Sequence, residues 1–150
     1  MEEILGFSKF EALFRKVASL DIDKSDLKKF IALINEKITD LLIIAKVAAK
    51  ANERDIIQLY DLPITKGIQE HINEFKKYDE YLELTPVLEK IVPLPQLNIT
   101  YSNEVEKTIV ELAGALSIIS AKILKVLNPD LKNPITEDWE KVKNIFNILL

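Results

Sequence analysis

The stretch from Ser25 to Lys50, SDLKKFIALINEKITDLLIIAKVAAK, constrains the chain most. It contains no Pro and no Gly and consists mostly of good helix formers. Ser25 is the expected N-cap, because its hydroxyl can accept from the free N–H groups of the first turn, and Asp26 complements the helix dipole there. As one helix the stretch would be roughly 40 Å long at 1.5 Å per residue. That exceeds the diameter of a small domain, so other elements must pack along both its halves. Leu27, Phe30, Ile31 and Ile34 form an apolar stripe at helical spacing. Leu41, Leu42, Ile43 and Ile44 are apolar nearly all the way round, which predicts burial on every face. The second half of this helix is therefore the expected centre of the core.

A second Pro-free stretch has the same character. Ser102 opens SNEVEKTIVELAGALSIISAKILKVL, which runs to Leu127, with Asn103 and Glu106 as a capping alternative. Shorter amphipathic segments surround the two long ones. Phe7, Phe10, Leu13, Phe14 and Val17 share one face of a helix over residues 7–17. Asp61, followed by Pro63, is the expected cap of a third helix carrying Ile64, Ile68, Ile72 and Phe75, fraying near Lys76–Asp79. Ile56 and Ile57 suit a very short extended segment. Thr85–Pro86 starts a short helix ending at Val92, and Pro93 and Pro95 make PLPQLNITY an irregular connector. Thr136 or Asp138 caps a last helix that turns Trp139, Val142, Ile145 and Phe146 inward.

The pattern repeats. Ser25 to Ser102 and Asp61 to Asp138 are both offsets of 77 residues. The expected fold is all-α, one compact domain of 150 residues built from two units, about 1–79 and 80–150, each of short, long and medium helices. The long helices are expected to cross at their apolar centres. Gly114, between Ala113 and Ala115, is either a close-approach point for that crossing or a tolerated helix glycine costing ~1 kcal/mol.

Arg54 precedes Asp61 by seven residues, with Ile56 and Ile57 between them. Asp61 can meet Arg54 bidentately while serving the helix start. As a surface pair it would be worth under ~1 kcal/mol. Short–long–short helices and the segment ANERDIIQLYDLPITKGIQEHI together resemble the histone fold. That resemblance implies a buried loop arginine–aspartate pair and a small strand pairing between loops. The whole chain is also similar to a family of uncharacterised single-chain proteins of thermophilic bacteria and archaea. In that family two histone folds joined head to tail make an internal pseudo-dimer. The likeness rests on the opening GF-x-K-F, on RDIIQLYDLPITKGIQEHINEF and on the proline-rich connector. The second half departs from the pattern: Leu131 stands where Arg54 stands in the first, leaving Lys132 as the nearest partner for Asp138.

Charge bears on what such a protein binds. The net charge of −4 lies unevenly: residues 1–78 hold 13 acidic and 13 basic side chains, whereas residues 79–150 hold 11 and 7. No basic surplus announces nucleic acid. Asp55 follows Arg54 where a phosphate would sit, which is unfavourable. Lys9, Arg15, Lys16, Lys24, Lys28, Lys29 and Lys132 remain as candidate contacts for DNA or a partner, or as a solvated face. No cofactor or metal site is expected, since the chain has no cysteine and a single histidine, His71, too few for a typical zinc site. Gly-rich phosphate loops and nucleophile elbows are absent. MEEILGFSKF lacks a basic leader region, and no apolar run approaches the ~18 residues of a membrane span. The expectation is a cytoplasmic, non-enzymatic, histone-like module, monomeric through its internal pseudo-dimer, that binds a protein of unknown identity. Weak sequence-independent DNA binding is the alternative.

Overall fold

The computed structural model describes residues 6–150. The acidic opening at residues 1–5, part of the reading of the N-terminus, lies outside them. Six helices and two two-residue strands follow in order: α1 (Phe7–Ala18), α2 (Lys24–Ala51), β1 (Ile56–Ile57), α3 (Lys66–Leu82), α4 (Thr85–Ile91), β2 (Thr100–Tyr101), α5 (Asn103–Leu127) and α6 (Thr136–Leu149). No helix among the described residues is long and apolar enough to cross a membrane. The fold class is thus all-α.

The two long helices start differently. Asp23, not Ser25, caps α2. Its carboxylate accepts from the Asp26 N–H at 2.7 Å, and Asp26 returns the bond to the Asp23 N–H at 2.9 Å. This reciprocal arrangement satisfies two free N–H groups at once, which a serine two residues later would not. Ser102 caps α5 as expected, accepting from the Val105 N–H at 3.2 Å. The offset of 77 therefore holds for Asp61 and Asp138 but not for the long-helix caps, Asp23 and Ser102, which lie 79 apart.

The core is centred on α5 rather than on α2. Every residue from Leu112 to Ile118 is buried, and α5 packs against each of the other five helices. The expectation for α2 needs correction. Leu41 and Leu42 are buried, but Ile43 and Ile44 are each 46% exposed and Val47 is 65% exposed. α2 lies at the edge, with one face uncovered, because α5 already occupies the centre. Gly114 is a close-approach point, yet its neighbour is α3, not α2. A Cβ at Gly114 would fall 2.4 Å from the Phe75 ring.

The third helix begins later than expected. Asp61 ends a single 3-10 turn, Leu59–Asp61, and Thr65 caps α3, accepting from the Ile68 N–H at 3.2 Å. Pro63 and Ile64 precede the helix. There is no fraying at Lys76–Asp79, and α3 continues to Leu82. Asp79 explains this. Its carboxylate accepts from the Leu84 N–H at 2.6 Å, the Thr85 N–H at 3.0 Å and the Thr85 hydroxyl. It thereby ties the end of α3 to the start of α4 across Glu83 and Leu84. α6 starts at Thr136, and the Asp138 carboxylate accepts from the Ile135 N–H at 2.8 Å. Trp139, Val142 and Phe146 are buried, while Ile145 is half-buried.

Aromatic packing joins the two halves. Phe14, Phe30 and Trp139 pack with ring centroids 5.2–6.0 Å apart, and Phe10 packs against Phe30 at 5.8 Å. The Trp139 indole N–H donates to Asp26 Oδ1 at 2.9 Å. Asp26 is buried, and burial raises its pKa against the hydrogen bonds from the Asp23 backbone and Trp139 that lower it.

Candidate functional site

The loops meet in pairs at two places. After α2, β1 runs parallel to β2, with Ile56 opposite Thr100 and Ile57 opposite Tyr101. The Thr100 N–H donates to Asp55 O at 3.2 Å and the Ser102 N–H to Ile57 O at 3.1 Å. Elsewhere, the Asp21 N–H donates to Lys132 O at 2.7 Å. These positions correspond. Asp21 stands two residues before the cap of α2, as Thr100 stands two before the cap of α5. Lys132 stands six residues before Asp138, as Asp55 stands six before Asp61. Each α1–α2 or α4–α5 connector thus pairs with the loop that follows the other long helix.

Arg54 and Asp61 form a bidentate pair beside the first junction. Arg54 Nη1 donates to Asp61 Oδ2 and Nη2 to Asp61 Oδ1, both at 2.7 Å. Nη1 also donates to Ile56 O at 3.1 Å, and the guanidinium lies 5.0 Å from the Tyr60 ring centroid. The Gln58 N–H donates to Asp61 Oδ2 at 2.8 Å. The Asp61 side chain is only 3% exposed and that of Arg54 is 23% exposed. The Arg54 hydrogen bond, opposed by burial and helped by the Gln58 N–H, holds the Asp61 carboxyl below the usual carboxylate range. The same pair raises the Arg54 pKa. The carboxylate therefore organises the loop rather than capping α3.

Several cations at the junctions are paired with the protein's own acids. Lys50 meets Asp55 at 2.5 Å, and Arg15 meets Asp21 at 3.2 Å. Lys46, near the first junction, donates to Leu97 O at 2.5 Å. Of the other candidate residues, Lys9 donates to Glu83 O at 3.0 Å and Lys16 lies 5.2 Å from the Tyr81 ring centroid, so both are directed towards the end of α3. Lys29 donates to Thr136 Oγ1 at 2.6 Å, bridging α2 to α6. Lys24, Lys28 and Lys132 are exposed near the second junction and have no ion-pair partner among the described residues. The candidates therefore divide between two places rather than forming one ridge.

His71 lies half-buried in α3. Its Nδ1 is 2.6 Å from Gly67 O and its Nε2 is 3.2 Å from Lys122 Nζ, while Lys122 pairs with Glu74 at 3.0 Å. Nδ1 therefore carries the proton that Gly67 O accepts, and Nε2 accepts from Lys122. This network joins α3 to α5, a contact that sequence spacing did not signal. The buried Lys37 was likewise missed. It donates to Asp40 Oδ2 and Asn147 Oδ1, both at 3.1 Å, tying α2 to α6. Its place in a long amphipathic helix gave no hint that it would be enclosed. No group of three or more His, Asp or Glu that could hold a metal ion occurs among the described residues.

The chain is similar over its whole length to two solved structures. A crystal structure from Thermus thermophilus is 45% identical, with a TM-score of 0.86 over 99% of this chain and 100% of that one. A crystal structure of a protein from Aquifex aeolicus is 25% identical, with a TM-score of 0.87 over 100% and 99%. An uncharacterized protein of Aquifex aeolicus (strain VF5) is 27% identical over 93% of this chain and 81% of its own length. A second from that strain is 28% identical over 81% and 78%. Residues 10–147 match the domain of unknown function DUF1931, and the chain belongs to that family.

Proposed function

We propose that this protein is a single-chain, histone-like pseudo-dimer whose two histone-fold units, about 1–79 and 80–150, act as a non-enzymatic protein-interaction module. The observation that carries the reading is the crossed pairing of loops at two corresponding places, with the Arg54–Asp61 pair beside the first. The Asp61 and Asp138 carboxylates support it, since each accepts the N–H three residues before itself. Leu131, half-buried against the core, replaces the second arginine. A monomer is expected, because each half already satisfies the other.

A protein partner is favoured over DNA by the state of the junction cations. A phosphate is gripped by free basic groups and exposed N–H donors. At the first junction Arg54 and Lys50 are occupied by Asp61 and Asp55, and Lys46 by a carbonyl. The exposed Lys24, Lys28 and Lys132 at the second junction favour the alternative, weak sequence-independent DNA binding. Titration of a short fluorescent DNA duplex from low to physiological salt separates the readings. Little or no binding at low salt is expected. A steep negative log–log salt slope would mean several phosphate contacts and would replace the protein-interaction reading with the DNA one.

A further inference from the structure

A groove of about 820 Å³ opens between α4 and the first half of α5. Its floor is apolar: Val92 and Ile109 are buried, and Leu94 and Val110 are half-buried and face into it. Its lining carries four carboxylates, Asp79, Glu89, Glu106 and Glu111, against one cation, Lys107. Glu111 is met by Lys76 at 3.3 Å from outside the lining, and Asp79 is engaged by the start of α4. Glu89 and Glu106 are exposed and have no cation within ion-pair distance among the described residues. An apolar floor between uncompensated acids repels phosphates. It attracts a chain segment that presents aliphatic side chains on one side and lysine or arginine on the other.

We infer that this groove docks a basic amphipathic segment of a partner protein, aliphatic side chains on the Val92–Val110 floor and cations against Glu89 and Glu106. The inference rests on the protein-interaction reading above and names the chemistry of its partner. The α5 wall, from Asn103 to Glu111, is roughly 12 Å long at 1.5 Å per residue, so about two turns of a helix fit along it. The chain's own first five residues are a poorer occupant, because Glu2 and Glu3 carry the same sign as the rim.

The test is nuclear magnetic resonance shift mapping on the full chain with a 14-residue helical Leu–Lys peptide, beside a peptide of equal charge with serine in place of leucine. Expected are shifts confined to α4, residues 92–94 and the first half of α5. The serine peptide should bind at least tenfold more weakly, and Glu89→Lys with Glu106→Lys should weaken the leucine peptide at least tenfold. Equal binding of both peptides would reveal a mere polycation effect and overturn the inference, as would absence of binding. Contacts between residues 1–5 and the groove in the free protein would assign it to the chain's own start and overturn it as well. Shifts on another face would remove the groove while leaving a protein-binding role standing. Only tight, salt-steep DNA binding would remove that role itself.

Discussion

Gly114→Ala tests the packing at the centre of the fold. A methyl at this position would sit 2.4–2.5 Å from three carbons of the Phe75 ring, about 1 Å or more inside the ~3.5–4.0 Å of a favourable carbon contact. Phe75 is 1% exposed, so the ring has no open space to retreat into. Overpacking of this kind costs ~1–3 kcal/mol, and the depth of the overlap argues for the upper end, ~3 kcal/mol. Removing a helix glycine returns ~1 kcal/mol. The expected net loss is about 2 kcal/mol, or ~4–8 °C in Tm for a chain of this size. Gly67→Ala supplies the control, since the nearest atom to its Cβ is Thr65 Oγ1 at 4.0 Å. It should be neutral or stabilising by up to ~1 kcal/mol. Both variants are read by thermal and urea unfolding. Adding Phe75→Leu to Gly114→Ala should couple favourably, recovering part of the loss. A Gly114→Ala protein that melts at or above the wild-type temperature would show that α3 and α5 do not approach as described.

Arg54→Ala should lower the Tm, with Arg54→Lys intermediate because one ammonium cannot reproduce the two parallel bonds to Asp61; an unchanged Tm would make the pair incidental. Asp61 has a lowered pKa in the fold, so its stabilisation is present above its unfolded value of about 4 and lost as pH falls through the folded one. The Tm gap between wild type and Arg54→Ala should therefore shrink below about pH 4, and a gap unchanged down to pH 2 would contradict the assignment. Trp139→Phe leaves Asp26 Oδ1 without its donor in a buried setting and should cost about 1–3 kcal/mol in urea unfolding; no loss would mean that water replaces the indole. Light scattering at micromolar concentration should report a 17.2 kDa monomer, against which a purely dimeric species would count.

Much of the helical plan was legible in the sequence because it rests on local terms. The absence of Pro and Gly and the spacing of Phe10, Phe14, Phe30 and Trp139 mark both helix extents and inward faces. Arg54 and Asp61 could be paired because the loop between them is short and the histone resemblance implies that pair. Ile43 and Ile44 misled for a tertiary reason. An all-round apolar segment predicts burial only if partners exist on every side, and α5, more apolar still, occupies the central place. Ser25 lost to Asp23 because the cap is decided by a reciprocal bond with the residue three ahead: Asp23 has Asp26 there, whereas Ser25 has Lys28, which cannot accept. The Lys37 and His71 networks were invisible because their partners, Asn147 and Lys122, lie more than 50 residues away.

The Asp79 corner bears on the order of the folding reaction. Only Glu83 and Leu84 separate α3 from α4, and Asp79 fixes their path. When complementary halves are separate molecules, their union is bimolecular and the assembly dissolves on dilution. On the proposed pseudo-dimer reading the partner arrives tethered, so association should be first order and the melting temperature independent of protein concentration. The covalent corner also frees the two halves from identity. The acidic groove lies between α4 and α5, and nothing requires its counterpart between α1 and α2 to match it.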